Sequence, residues 1–210
     1  MKTGEKKDFD KEAVQWDANP GRVKLANDVG DAIIREAGLS KDMDVLDFGC
    51  GTGLVTLKLQ PLVKTITGAD SSKGMLGVLD NKIKTHGLKN VQTRYVDFEK
   101  GERINGKYHL MVSSMTLHHV PDTAALFKQW HELLLPAGKI CVADLDSEDG
   151  SFHGDNTGVF HHGFGREELK KLLREIGFND VRDTTAATMT RPVEGNGTRE
   201  FPVFLIIARK

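Results

Sequence analysis

The chain has 210 residues, with 29 lysines and arginines against 30 aspartates and glutamates, for a formal net charge of −1. This length suffices for one α/β domain with a sizeable core and is short for two. The balanced charge excludes the basic surface that attracts phosphates, so we expect no nucleic-acid partner. No apolar run reaches the length of a membrane span, and residues 1–7 lack the apolar segment of a signal peptide, so we expect a cytoplasmic protein.

The first part of the chain is predicted to form a polar arm. Residues 1–21 contain few large apolar side chains. The Asn-Pro-Gly sequence at 19–21 is typical of a turn, so we expect the arm to end there and residues 22–210 to form a single domain. Apolar residues then recur at helical spacing over 23–37, which predicts a helix that ends at Gly38.

The sequence DVLDFGCGTGL at 44–54 predicts a strand, a tight turn and the beginning of a helix. The apolar residues around Asp47 indicate a short buried strand. Gly49, Gly51 and Gly53 follow at alternate positions and leave the turn almost without side chains. This arrangement allows a ligand to contact backbone N–H groups at the N-terminus of the following helix.

Two acids and the absence of one glycine narrow the classes of ligand that this turn is expected to bind. The dinucleotide fingerprint requires a glycine where this chain has Leu54, which disfavours an NAD-dependent oxidoreductase. An acid at the position of Asp47 repels a pyrophosphate but suits a ligand with a positive end. A second strand is predicted over 66–70, and Asp70 lies seventeen residues after Gly53, where an acid binds two ribose hydroxyls. S-adenosylmethionine, a nucleoside with a cationic tail and no pyrophosphate, fits both acids.

Strands and helices are predicted to alternate as far as residue 145. The predicted elements are a helix that begins after Ser72 and carries Met75, a strand over 90–96 that Asp97 follows, a strand over 110–114, a helix over 121–134 and a strand over 139–145. This alternation favours a parallel sheet with helices on both faces.

Residues 146–165 interrupt the alternation and are predicted to form a long loop. They are rich in Gly, Asp and His without a clear period, and loops of this length in compact domains are usually functional or disordered. A helix over 166–176, ended by Gly177, is predicted to follow. The chain is then predicted to close with a strand over 181–187, a turn that holds Pro192 and the Gly-Asn-Gly at 195–197, and a strand over 201–208.

Five segments, in order and at matching spacing, resemble the class I S-adenosylmethionine-dependent methyltransferases. They are VLDFGCGTG at 45–53, GADSS at 68–72 with Met75, VDF at 96–98, LHHV at 117–120 and LLPAG at 134–138. The resemblance covers roughly residues 40–210 and is closest to the small-molecule enzymes of ubiquinone and menaquinone biosynthesis. It implies a Rossmann-like, doubly wound α/β fold with a seven-stranded sheet, mostly parallel and with the last strand antiparallel.

The resemblance implies S-adenosylmethionine as the cofactor and assigns its contacts to the ends of the strands. Asp47 and the glycines meet the methionine end, Asp70 takes the ribose hydroxyls, and Asp97 accepts from the adenine amino group. Met75 and Phe98 sandwich the adenine ring, while the backbone around Ser113 and Ser114 holds the amino-acid portion. The cofactor-binding residues implied in this way are Asp47, Gly49, Gly51, Gly53, Asp70, Ser71, Met75, Asp97, Phe98 and Ser114.

Five of the eight histidines lie in two segments that follow predicted strands, where sites of α/β proteins form. They are His118 and His119 after the fourth strand, and His153, His161 and His162 in the long loop. Imidazole suits a general base at neutral pH, so His118 and His119 are candidate catalytic residues. The resemblance places the residue before Val120 nearest to the pocket. We therefore predict His119 as the base and a mainly structural role for His118, while capping of the following helix stays an alternative for either.

A metal site is another interpretation of these histidines, because four acids lie near them in sequence. Those acids are Asp144, Asp146, Glu148 and Asp149. However, no spacing matches a zinc pattern such as His-Glu-x-x-His, so we predict no metal.

The function implied by the resemblance is methyl transfer from S-adenosylmethionine to an O, N, S or C atom of a small-molecule acceptor by in-line displacement. The arm is implied to close over the cofactor, and aromatic residues in the arm and the loop suit an apolar or aromatic acceptor. The candidate acceptor residues are Trp16, His153, Phe160, His161 and His162. Two other functions stay open: a non-catalytic, S-adenosylmethionine-binding regulatory protein and, less favoured, an NAD-dependent oxidoreductase. The sequence leaves the oligomeric state open.

Overall fold

The computed structural model describes residues 8–97, 100, 102–193 and 197–210. Within these ranges we number six α-helices and seven strands. The helices are α1 (Phe9–Glu12), α2 (Pro20–Ala37), α3 (Leu54–Leu59), α4 (Lys73–His86), α5 (Thr123–Leu133) and α6 (Arg166–Ile176). The strands are β1 (Asp44–Phe48), β2 (Thr65–Asp70), β3 (Val91–Tyr95), β4 (Tyr108–Ser114), β5 (Leu134–Leu145), β6 (Asn179–Val193) and β7 (Gly197–Arg209). No helix in the described ranges is long and apolar enough to cross a membrane.

The strands form one sheet in the order β3-β2-β1-β4-β5-β7-β6. The first five strands pair in parallel, whereas β7 runs antiparallel to both β5 and β6. The Rossmann-like, mostly parallel seven-stranded sheet expected from the sequence is therefore confirmed. The strand order reverses between β1 and β4, and ligands of such sheets bind near that point, beyond the carboxyl ends of the strands.

Helices cover both faces of the sheet because successive strand residues point to opposite sides. In β1, Val45 packs in a cluster with α2 and α3, whereas Leu46 packs on the other face in a cluster with α5 and α6. Phe127 and Trp130 of α5 belong to the second cluster and are fully buried. Two apolar layers thus hold the central strands in place and fix the edge of the sheet at which their carboxyl ends meet.

Helix α2 begins earlier than the apolar pattern predicts. The Asn19 Oδ1 atom accepts hydrogen bonds from the Gly21 and Arg22 N–H groups at 2.9 and 3.2 Å, and Pro20 occupies the first helical position. The Asn-Pro-Gly segment is thus the capped start of α2 rather than the predicted turn. As a result, Arg22 lies in the first turn of a helix that runs directly on from the arm.

Strands β6 and β7 are both longer than predicted. β6 continues to Val193 and β7 already begins at Gly197. Pro192, expected in a turn, lies within β6, where an edge strand tolerates its missing N–H. Residues 195 and 196 of the predicted turn lie outside the described residues. The additional length of β6 brings Arg191 to the site.

Candidate active site

A cavity of about 1300 Å³ lies beyond the carboxyl ends of the parallel strands. The arm, the glycine turn, the loop over 146–165 and β6 contribute to its lining. The predicted site residues that line it are Trp16, Asp47, Gly49, Gly51, Asp70, Ser71, Met75, Asp97, Ser114, His118, His119, His153 and Phe160. Gly53, His161 and His162 do not belong to the lining, and Phe98 lies outside the described residues.

The glycine turn is open at the cavity and tightly packed behind it. A Cβ atom at Gly51 would meet no atom within 4 Å, so the backbone at that position is open to a ligand. At Gly49 a Cβ would lie 2.2 Å from the Thr116 side chain, and at Gly53 it would lie 2.3 Å from Leu79 of α4. Gly53 therefore permits close packing between the turn and α4.

Asp47, near the end of β1, is a buried carboxyl group with one described hydrogen bond to a side chain. It is 1% exposed, and its Oδ2 accepts from the Thr56 hydroxyl at 2.6 Å. Burial raises the pKa of Asp47 to about 7, with the charge of Asp70 adding to the rise and the Thr56 hydroxyl opposing it. The carboxyl group is therefore close to its titration point at neutral pH, where a nearby cation would favour its ionised form.

Asp70 and Asp97 lie at the ends of the two neighbouring strands, β2 and β3. The Asp70 Oδ2 accepts from the Gly51 N–H and its Oδ1 from the Ser72 N–H, both at 2.8 Å, so this carboxylate connects the glycine turn to the start of α4. Asp97 is 3% exposed and lies 3.1 Å from the Lys100 ammonium. With Asp47 these two acids make one side of the cavity acidic, and we name the three residues the acid end.

His118 forms a buried pair with Asp144, the penultimate residue of β5. The His118 ring is 2% exposed, and its Nδ1–H donates to Asp144 Oδ1 at 2.7 Å. Burial alone would raise the pKa of Asp144, but the charge and hydrogen bond of His118, together with the N–H groups of His118 and Leu145, outweigh it and hold that pKa below its usual value. The pair therefore contains an ionised carboxylate that orients the imidazole.

His119 is less buried than His118 and has a neutral hydrogen-bond partner. Its Nδ1–H donates to the Gly158 carbonyl at 2.7 Å, and its ring packs edge-on against Phe9 of the arm at 5.3 Å. The centroids of the two histidine rings are only 4.2 Å apart. Both rings thus line the same cavity, and His118 is paired there with the buried carboxylate of Asp144.

Of the three loop histidines, His153 lines the cavity, whereas His161 and His162 contact other parts of the loop and the segment before α5. The His161 Nε2–H donates to the Val120 carbonyl at 2.9 Å, while the Phe160 and His161 N–H groups donate to the His118 carbonyl. His162 lies 3.5 Å from Glu148. Among the described residues, no three His, Cys, Asp or Glu side chains cluster in a way that could hold a metal ion.

Polar contacts hold the described part of the arm over the cavity. Asp10 accepts from the Ser72 hydroxyl and from the Gly74 N–H, at the start of α4. Asp17 accepts from the Thr52 hydroxyl in the glycine turn and forms an ion pair with Lys82, both at 2.6 Å. Sequence reasoning missed these acids because it looked for apolar anchors, and isolated acids in a polar segment carry no periodic signal.

Two arginines that the sequence analysis did not predict as site residues also line the cavity. We name Arg22 and Arg191 the arginine end. The Arg22 guanidinium lies 3.7 Å from the centroid of the Trp16 ring and pairs with Glu12 at 2.9 Å. The Arg191 guanidinium lies 4.1 Å from the centroid of the Phe152 ring. Arg191 carries no clear sequence signal, because the polar residues beside it on β6 hide the alternation of buried and exposed positions.

Comparisons with known proteins agree with this architecture. The family described as a methyltransferase domain matches residues 22–183. A methyltransferase of uncharacterised activity from Schizosaccharomyces pombe is 34% identical over 154 residues, which cover 66% of this chain and 54% of that protein. A ubiquinone biosynthesis O-methyltransferase of Coxiella burnetii is 28% identical over 137 residues, which cover 64% of this chain and 58% of that protein. The chain thus spans a little over half the length of these relatives.

Solved structures share the fold at low sequence identity. A methyltransferase from Aquifex aeolicus, described as S-adenosylmethionine-dependent, superposes with a TM-score of 0.69 at 18% identity, over 95% of this chain and 97% of that one. Phosphoethanolamine N-methyltransferase 2 of Haemonchus contortus, in complex with S-adenosylmethionine, gives 0.71 at 14% identity, over 96% of this chain and 60% of that one. The family match covers most of the chain, and this protein therefore belongs to the family described as a methyltransferase domain.

Proposed function

We propose that this chain transfers the methyl group of S-adenosylmethionine to a small molecule that binds beside the cofactor in the same cavity. The observation that carries the proposal is that the acid end and His118, which is hydrogen-bonded to the buried Asp144, line one cavity. Carboxylates suit the hydroxyl groups and the cationic end of the cofactor. An imidazole oriented by a carboxylate suits the acceptance of a proton from the methyl acceptor.

The acid end and the residues beside it suit the chemical groups of S-adenosylmethionine, and the cavity is large enough to hold it. The backbone at Gly51 is open, the Asp70 carboxylate can accept from ribose hydroxyls, and Met75 offers a buried thioether in the lining. The cavity of about 1300 Å³ exceeds the ~300–1,000 Å³ of a typical small-ligand pocket, which leaves room for an acceptor. Trp16 and Phe160 in the lining favour an apolar or aromatic acceptor.

In this proposal S-adenosylmethionine supplies an electrophilic methyl group for an in-line displacement. The chain itself has to align the acceptor, limit access of water and receive a proton. Alignment alone can account for roughly 7–11 kcal/mol of such a barrier. The arm and the loop over 146–165, which both contribute to the lining, supply the walls that this alignment needs.

Within this mechanism we assign the role of general base to His118. Because its Nδ1–H donates to Asp144, its Nε2 is the ring nitrogen that can accept a proton, and the carboxylate stabilises the imidazolium that forms. The Nδ1–H of His119 donates instead to the Gly158 carbonyl, a neutral acceptor that stabilises an imidazolium less than a carboxylate does. The geometry therefore favours the reverse of the order that we predict from the sequence, with His119 in a packing role against the arm.

The proposal is tested by binding and transfer measurements on the full chain. Calorimetry with S-adenosylhomocysteine should show binding, and a labelled methyl group should pass from S-adenosylmethionine to a small molecule of a metabolite extract. The transfer should be lost in His118→Ala and kept in His86→Ala, an exposed control at the end of α4. Absence of cofactor binding together with binding of NADH would contradict the proposal. Cofactor binding without any transfer would favour the non-catalytic alternative.

A further inference from the structure

The charges that line the cavity are distributed unevenly, and this asymmetry bears on the acceptor. Asp47, Asp70 and Asp97 make the acid end, whereas Arg22 and Arg191 line the cavity from α2 and β6. A sulfonium cofactor is cationic and suits the acids. The mechanism assigns no such role to the arginine end, whose positive charge has the same sign as that of the sulfonium of the cofactor.

Arg191 is a partly buried cation for which the described part of the chain provides no acidic partner. Its guanidinium packs on the Phe152 ring at 4.1 Å, and its Nε is buried without a hydrogen-bond partner among the described residues. Burial, with the positive charge of Arg22 adding to it, lowers the pKa of Arg191 below its usual value. A buried donor left without an acceptor costs free energy, and an anionic ligand would remove that cost.

The other charged groups near Arg191 are already engaged or exposed. Arg22 forms its ion pair with Glu12 at 2.9 Å, so that pair is close to neutral. Asp155 also lines the cavity, but it is exposed and accepts from the N–H and hydroxyl of Thr157 at 2.9 and 2.8 Å. The charge of Arg191 is therefore the main uncompensated charge at this end among the described residues.

A row of ring contacts connects Arg191 to the general base. The Phe152 ring, on which Arg191 lies, has its centroid 4.8 Å from that of His153, and the His153 ring lies 5.0 Å from His118. A compact molecule can thus place an anionic group at Arg191, an apolar or aromatic body along these rings, and a nucleophilic atom near His118.

We propose that Arg191 binds an anionic group of the methyl acceptor, so that the substrates are small organic acids or phosphate esters with an apolar or aromatic body. This inference rests on the proposed methyl transfer. The planar guanidinium presents paired N–H donors that match both carboxylate and phosphate oxygens. Its positive charge also distinguishes it from the acid end, whose carboxylates suit the cationic groups of the cofactor.

The test uses the full chain saturated with S-adenosylhomocysteine and three probes of similar shape: benzoate, phenyl phosphate and the neutral benzamide. Calorimetry should show that at least one anionic probe binds about tenfold or more tightly than benzamide, because a hydrogen-bonded ion pair contributes to its affinity. In Arg191→Gln this preference should disappear. In the control Arg199→Gln it should persist, since Arg199 lies opposite Arg191 on β7, pairs with Asp149 and is not part of the lining.

Comparison of the two anionic probes shows which kind of anionic group Arg191 binds. A preference for benzoate identifies carboxylic acids as the substrate class, and a preference for phenyl phosphate identifies phosphate esters. Equal binding of benzamide and both anions, lack of binding of either anion at millimolar concentration, or an unchanged preference in Arg191→Gln would overturn the inference. Affinity for S-adenosylhomocysteine is measured on the wild type and on every variant. A wild type that does not bind S-adenosylhomocysteine would contradict the proposed function. An unchanged preference for anions in Arg191→Gln, with cofactor binding intact, would contradict only the role of Arg191.

Discussion

The acid end and the arginine end of the cavity are built in different ways. Asp47, Asp70 and Asp97 lie at the ends of β1, β2 and β3, which are neighbours in the sheet, so their meeting follows from parallel pairing. Arg22 and Arg191 come from a helix near the start of the chain and an edge strand near its end. The acid end therefore depends on short local segments, whereas the arginine end depends on how distant parts of the chain pack together.

The largest expected effect is on turnover and comes from removing the proposed general base, His118. His118→Ala should lower turnover by about 10²–10⁴-fold, because it removes the proton acceptor, while cofactor affinity stays unchanged. Asp144→Asn should also lower turnover, since the neutral amide no longer stabilises the imidazolium. His119→Ala should lose less. Single-turnover transfer of a labelled methyl group measures all three. A larger loss in His119→Ala than in His118→Ala would restore the order predicted from the sequence.

The second expected effect lies at the acid end and depends on pH. Burial raises the folded-state pKa of Asp47 to about 7 from an ordinary 3.8, so the unfolded chain loses this proton first as pH rises. The free energy of unfolding should therefore fall between about pH 4 and pH 7, by up to about 4 kcal/mol from this group. Asp47→Asn should remove that part of the pH dependence in urea unfolding, whereas the exposed control Asp180→Asn should not. The same slope in wild type and Asp47→Asn would contradict the assignment.

The third expected effect tests whether the acid end and the arginine end bind different ligands. Asp70→Ala should weaken binding of S-adenosylhomocysteine, because each lost charge-assisted hydrogen bond is worth about 1.5–3 kcal/mol before water replaces it. Arg191→Gln should leave this affinity unchanged. Calorimetry on both variants tests whether the two ends act separately. An unchanged dissociation constant in Asp70→Ala would remove its role at the ribose, and a loss in Arg191→Gln would mean that the ends are not distinct.

The smallest effect concerns the arm, which lies over the cavity. Asp17→Ala should weaken cofactor binding by about 1 kcal/mol or less, because the Lys82 pair and the Thr52 contact are partly exposed. Hydrogen exchange of residues 8–18 should be slower with S-adenosylhomocysteine than without it, and Asp17→Ala should reduce that difference. Asp28→Ala, which removes a surface ion pair with Lys24 on α2, is the control. Equal exchange with and without ligand would mean that the arm does not respond to the cofactor.

The acid end and the order of the elements could be predicted from the sequence alone. Ser72 caps α4 by accepting from the Met75 N–H, and each strand that carries an acid is followed by a turn, all through residues close together in the chain. Such local interactions leave a pattern of glycines, caps and apolar spacing that can be read without a structure. Because parallel strands align their carboxyl ends, the pattern also predicts that the acids face one cavity.

The pairing of His118 with Asp144 and the assembly of the arginine end, by contrast, are visible in the tertiary structure alone. His118 meets Asp144, 26 residues away, because β4 and β5 pair in a register that sets Ser114 beside Ala143. Arg191 reaches the cavity because β6 continues beyond the predicted bound, along an edge strand whose polar residues hide its alternation. Contacts of this kind depend on strand register and on the packing of distant elements, and neither leaves a local signal in a single sequence.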